Sequence, residues 1–244
     1  MKIERYARQI VFDRIGMKGQ ERLANARIAI IGLGGLGGIA AELLCRAGVG
    51  RLVVFDSDNV DISNLHRQVL YNEKDIGQKK AEVAKQKLLL INSDVKVVAI
   101  HKKANMKTLE EIGNIDVILD CTDNLEARFA INDYCLKQKV PWIYAGVLKE
   151  YGAMIRFVPG GPCLRCVIKD DKKEETTAIS GILNTLPSFV GALQATEAIK
   201  VLFGENTKPL MFKIDIWKGE IKKIKIKKRP ECICSSYTKN YKKL

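Results

Sequence analysis

Residues 28–37, IAIIGLGGLG, decide the fold of this 244-residue chain. An apolar run breaks into Gly32, Gly34 and Gly37, a helical pattern follows over 36–47, and the next apolar run, 52–55, ends in Asp56. Strand, glycine turn, helix, strand and acid fall in the order of a dinucleotide-binding βαβ unit. The glycines permit a tight turn and let backbone N–H groups approach a phosphate at a helix N-terminus. Asp56 suits a ribose hydroxyl pair, whether of NAD or of ATP.

Working outward, strand patterns at 95–100, 117–119 and 141–145 alternate with helical ones at 77–90 and from 125 through Lys137. Such alternation predicts an α/β fold with a doubly wound, mainly parallel Rossmann-like sheet. After Gly146 the pattern turns antiparallel. Residues 151–158 read as a hairpin strand, 190–203 as an amphipathic helix, and 212–217 with 220–227 as a closing hairpin around Lys218-Gly219. Residues 169–180, KDDKKEETTAIS, read as a mobile crossover loop. No repeat or low-complexity linker divides the chain, so residues 1–244 are expected to form one domain.

Composition narrows the setting. No apolar run has the length of a membrane span, and the charged opening MKIERYARQIVF is unlike a signal peptide, so a cytoplasmic protein is expected. Of the net charge of +13, eleven Lys and Arg against three acids lie from Lys213 onward. IKKIKIKK at 221–228 alternates Ile with Lys, as a half-buried edge strand with a solvated lysine face does. Without interleaved aromatics this tail is not expected to bind nucleic acid, and an acidic protein partner is the second reading of its charge.

The segment after Asp56 sets the chemistry. Asp58, Asp61, Asn64, Arg67 and Gln68 crowd one loop, and GQKKA at 77–81 puts Lys79 and Lys80 at a helix start, where the helix dipole disfavours a cation unless an anion compensates. Hydride transfer needs no such positive charge. Attack on the α-phosphorus of ATP does, since charge builds on the equatorial oxygens and on the departing pyrophosphate. Asp123, at a strand end beside the same crevice, suits Mg²⁺, directly or through water. Cys163-Leu-Arg-Cys166 has zinc-knuckle spacing, and Cys232-Ile-Cys234 can supply the other half of a Cys₄ zinc site. Cys45, Cys121 and Cys135 lie in apolar segments and read as core filling. Trp142 and Trp217 read as core or interface residues.

In its motifs the chain resembles the ThiF/MoeB/HesA adenylyltransferases, relatives of the ubiquitin-activating enzymes. The matching stretches are RYARQ at 5–9, GLGGLG at 32–37, SNLHRQ at 63–68, GQKKA at 77–81, DCTDN at 120–124, PCLRC at 162–166 and GALQATEAIKVL at 191–202. The resemblance implies a homodimer that uses Mg-ATP to adenylate the C-terminal Gly-Gly carboxylate of a ubiquitin-like or sulfur-carrier protein. It implies that Asp58, Asn64, Arg67, Gln68, Lys80 and Asp123 are the active-site polar set, with Arg8 reaching into the partner subunit's site. Two departures from the family stand out. The second cysteine pair is CxC instead of CxxC, and 175–180 lacks the cysteine that sulfur-transferring and thioester-forming relatives carry, so the reaction is expected to stop at the acyl-adenylate. A relative that adenylates a carboxylate on tRNA is the alternative within the fold, and an NAD-dependent oxidoreductase the alternative outside this chemistry.

Overall fold

The computed structural model describes residues 2–168, 180–205 and 208–235, so the expected crossover loop lies outside the described residues apart from Ser180. Eight strands are present: β1 (Arg27–Ile31), β2 (Arg51–Phe55), β3 (Lys96–Ile100), β4 (Val117–Asp120), β5 (Trp142–Leu148), β6 (Tyr151–Phe157), β7 (Leu210–Asp215) and β8 (Glu220–Lys225). They form one sheet in the order β3-β2-β1-β4-β5-β6-β7-β8. The pairings from β3 to β5 are parallel, and those from β5 to β8 antiparallel. The doubly wound, mainly parallel sheet with an antiparallel C-terminal extension is therefore present as expected.

β1 is buried on both faces, as a central parallel strand must be. Ile28 and Ile30 enter one core and Ala29 and Ile31 the other. The first core is closed by α2 (Gly16–Asn25), α3 (Gly35–Arg46), α4 (Lys80–Ile91) and α8 (Thr185–Leu202), which follow a short α1 (Ala7–Ile10) in the chain. The second is closed by α5 (Met106–Leu109), α6 (Leu125–Gln138) and α7 (Leu164–Val167). At the foot of the sheet Arg27 clasps Asp116 with two guanidinium bonds, 2.7 and 3.2 Å, joining the starts of β1 and β4. Between β6 and α8, Arg156 pairs with Glu197 in full burial.

Three details depart from expectation. α4 begins at Lys80 instead of Gly77, because Gly77 takes a left-handed turn conformation (φ +82°) ahead of it. α8 begins at Thr185, five residues early, with Pro187 in its first turn, where a missing N–H costs nothing. β8 lies at the sheet edge as expected, its Ile221 and Ile224 48% and 37% exposed between solvated lysines. α8 packs over β4, β5 and β6. Trp217, in the β7–β8 turn, is 79% exposed and so is not a core residue, whereas Trp142 is buried and stacks on Phe157. No helix among the described residues is long and apolar enough to cross a membrane.

Candidate active site

Strand order reverses direction between β1 and β4, and at such a switch point the carboxyl ends of the strands splay apart into a crevice. A cavity of about 890 Å³ opens there, lined by the glycine turn, Asp56, Asp58, Arg67, Gln68, Lys80, Asp123 and residues of β5 to β7. Six cationic and four acidic side chains line it, a balance that favours an anionic ligand.

Its floor is the turn from β1 into α3. Gly32 sits at φ +91°, and a Cβ there would lie 2.6 Å from the Cys121 carbonyl oxygen. A Cβ on Gly37 would collide with the Gly32 carbonyl. A Cβ on Gly34 would instead meet only Gln68 Nε2, at 3.5 Å, so that position is open on the crevice side. Gly34 offers α3 no side-chain cap, which leaves first-turn N–H groups facing the cavity as an anion cradle.

Asp56 fastens this turn to β2. Its Oδ2 accepts from Leu33 N (2.6 Å) and its Oδ1 from Asp58 N (2.7 Å). Burial raises the Asp56 carboxyl pKa, while those two N–H groups and Lys80 pull it down. Lys80, the first residue of α4, is 5% exposed and sets its ammonium 3.2 Å from the exposed Asp58 carboxylate. A lysine is rarely so buried, and it stands at the positive end of a helix; a bound anion would relieve both costs.

Arg67 and Gln68 come from the loop after a 3₁₀ turn (Ile62–Asn64). The Asn64 carbonyl accepts from the N–H groups of both residues, 3.1 and 3.0 Å, so Asn64 shapes the turn that carries them without itself lining the crevice. Arg67 Nη1 reaches the Ser63 carbonyl and His66 Nε2. Gln68 is buried, and its Oε1 has no partner among the described residues. Arg8, on exposed α1, is likewise absent from this crevice.

The opposite wall is Asp120–Asn124. Thr122 N and Oγ1 bond Asp120 Oδ1 (3.0 and 2.7 Å), Asn124 caps α6 through Ala127 N, and the exposed Asp123 makes no hydrogen bond or ion pair among the described residues. Two buried side chains that the sequence reading passed over hold this wall. Gln194 of α8 donates to the Asp120 (2.9 Å) and Ile143 (2.7 Å) carbonyls and accepts from the Cys121 thiol. Arg128 of α6 bonds the Thr122 carbonyl and lies over the Tyr144 ring. Gln194 lies within the 191–202 motif, and the further signal for it is an amide inside an apolar helical run. Cys121, buried and with its pKa pushed well up by burial, is a packed thiol, as expected.

Away from the crevice, Cys163, Cys166, Cys232 and Cys234 bring their four Sγ atoms within 4.8 Å of one another, with Cys163–Cys232 at 3.5 Å and Cys166–Cys234 at 3.6 Å. A tetrahedron with Zn–S bonds of about 2.3 Å has edges of about 3.8 Å, so the residues fit zinc despite the shortened CxC pair. Arg229 N points at Cys166 Sγ (3.4 Å), a donor suited to a thiolate.

The ThiF family pattern matches residues 6–235. The chain is 38% identical over 209 residues to the SAMP-activating enzyme E1 of Haloferax volcanii, covering 84% of this chain and 77% of that one. It is 37% identical over 237 residues to the sulfur carrier protein ThiS adenylyltransferase of Bacillus subtilis, covering 95% and 70%. Among solved structures, E. coli MccB with ATP superposes with a TM-score of 0.79 at 26% identity, covering 88% of this chain and 67% of that one. The match runs from the N-terminal helices to the last cysteine pair, across every element that builds the crevice, and the protein belongs to the ThiF family.

Proposed function

We propose that this adenylyltransferase activates the C-terminal glycine carboxylate of a ubiquitin-like or sulfur-carrier protein as an acyl-adenylate. The observation that carries the reading is the convergence of Arg67, Gln68, Lys80 and Asp123 on one crevice over the uncapped N-terminus of α3. The named activities of the relatives support it, as does MccB having been solved with ATP.

In this reading the open backbone at Gly34 and the first turn of α3 take phosphate oxygens, and Asp56 takes the ribose hydroxyls. Gln68 contributes its Oε1, which has no partner among the described residues, and Asn64 the turn that aims Arg67. Asp123, free of partners among the described residues, would hold Mg²⁺, whose chemistry is charge neutralisation on the phosphates. A carrier carboxylate oxygen bonds to the α-phosphorus while the bond to pyrophosphate breaks. Arg67 and Lys80 stabilise the charge that develops, Lys80 exchanging its Asp58 partner for phosphate. No general base is required, because the attacking carboxylate is already ionised at neutral pH. Arg8, exposed and outside its own crevice, serves the site of a second copy in a homodimer.

The four cysteines hold a structural zinc that ties α7 to the end of the described chain. Cysteines that serve as zinc ligands or packed thiols and form no disulfide suit a reducing cytoplasm, which fractionation would check. With no thiol in 169–180, the enzyme stops at the adenylate; a reducible covalent complex with the carrier that depends on one cysteine here would overturn that point. The main test is ATP–pyrophosphate exchange with Gly-Gly-ended carriers. Exchange should require one of them and disappear in Arg67→Ala, Lys80→Ala and Asp123→Ala proteins that melt like the wild type. Exchange with none of the carriers rejects the reading.

A further inference from the structure

The crevice does not end at the nucleotide pocket but continues over the antiparallel strands. Register aligns Gly146 with Ala153, Ala153 with Lys213, and Lys213 with Lys222, so one row of the floor runs from two small residues to two cations. Gly146, Ala153 and Lys213 all line the same cavity as the glycine turn. The row on one side, Tyr144, Ile155, Met211 and Ile224, is apolar apart from one hydroxyl.

On the other side the acids are already engaged. Asp215 accepts from Lys218 N (3.0 Å) and faces the Lys218 ammonium (3.8 Å), and Glu220 pairs with Lys222 (3.0 Å). Lys213, exposed at the outer end of the groove, has no hydrogen-bond or ion-pair partner among the described residues. Two strand spacings separate it from Gly146, about 10 Å, the length of roughly three extended residues.

We propose that Lys213 is a recognition residue for the carrier's tail, pairing with an Asp or Glu side chain a few residues before the terminal glycines. This rests on the carrier-activation reading. The inner floor adds little bulk of its own, Ala153 with a methyl and Gly146 with none beneath the Tyr144 hydroxyl, so the chain passing over it is best without side chains, as a Gly-Gly end is. A side chain first finds room where the groove opens over β7, and the group waiting there is an unmatched ammonium. The positive charge of the segment from Lys213 onward steers the same acidic tail inward.

The test uses fluorescent ten-residue peptides ending in Gly-Gly, with Glu, Gln or Lys stepped through the third to sixth positions from the end. Binding to the full chain is read by anisotropy with a non-hydrolysable ATP analogue present. On the wild type, a Glu peptide in one register should bind about tenfold tighter than its Lys counterpart at low salt. That advantage should fall to about twofold in Lys213→Ala and reverse in Lys213→Glu, both melting like the wild type. No acid preference on the wild type, or an undiminished one in Lys213→Ala, overturns the proposal. So does a single-stranded oligonucleotide that displaces the peptide only when Lys213 is present. The two readings fail separately: pyrophosphate exchange absent with every carrier rejects activation, whereas normal exchange with an unchanged carrier KM in Lys213→Glu removes only the role of Lys213.

Discussion

Replacing Gln194 with Leu keeps the volume of a fully buried side chain and deletes its amide. Two carbonyls, those of Asp120 and Ile143, lose donors at 2.9 and 2.7 Å, and the Cys121 thiol loses its acceptor at 3.1 Å. A net 0.5–1.5 kcal/mol for each bond to a carbonyl, with a smaller amount for the thiol, gives a loss of about 3 kcal/mol. For a chain of this size that corresponds to a fall in Tm of roughly 6–12 °C. Gln194→Glu sharpens the test. An ionised carboxylate would face two carbonyl oxygens, whereas a protonated one still donates to one of them, so this variant should recover stability as pH falls toward 5. Differential scanning calorimetry at pH 8 and pH 5 reads both effects. A Leu variant melting within about a degree of the wild type, or a Glu variant indifferent to pH, would refute the claim that this amide holds the Asp120–Asn124 wall.

Other expectations are equally direct. Gly34→Ala should fold with near-native stability but bind ATP at least tenfold more weakly, while Gly37→Ala should lower Tm sharply; isothermal titration and melting curves separate the two. Elemental analysis should find close to one zinc per chain, and Cys232→Ser should reduce that content together with Tm; zinc-free protein that stays folded and active would remove the metal. Arg27 holds the Asp116 carboxyl pKa below its usual value, chiefly through their hydrogen bonds. A depressed folded pKa gives stability that is present above the usual carboxylate value and lost as pH falls through the lowered one. Asp116→Asn should therefore melt about 2–4 °C below the wild type at pH 7, with the gap closing as pH drops below about 4.

How much of this was legible depended on the range of the interaction. β1 announces itself because a strand buried on both faces needs an unbroken apolar run, and the glycine turn because the crossing at Gly32 and Gly37 admits no Cβ. Arg67, Gln68, Lys80 and Asp123 were found as candidates because loops after parallel strands converge on one end of the sheet. Gln194 was not, since its partners lie 51 and 74 residues away and an amide in an apolar helix carries no sign of what it bonds. The SNLHRQ motif points to Asn64, and the contact by which it positions Arg67 and Gln68 is its backbone carbonyl. The Ile–Lys alternation marks β8 as an edge strand, and in the structure Ile221 and Ile224 are partly covered between exposed lysines.

That thinly covered edge strand has a consequence for how the molecule opens. Among the described residues β8 is joined to the sheet through β7 alone, and its Ile221 and Ile224 are only partly covered, so its ladder breaks at a smaller cost than those of the buried strands. Its amides should exchange with deuterium long before those of β1 and β4, in an opening that leaves the nucleotide crevice intact. The cysteines that follow it, drawn against Cys163 and Cys166, limit how far the strand can peel away. The outermost strand is thus a tethered flap on a rigid sheet, and loss of the tether should register first as faster exchange in β8.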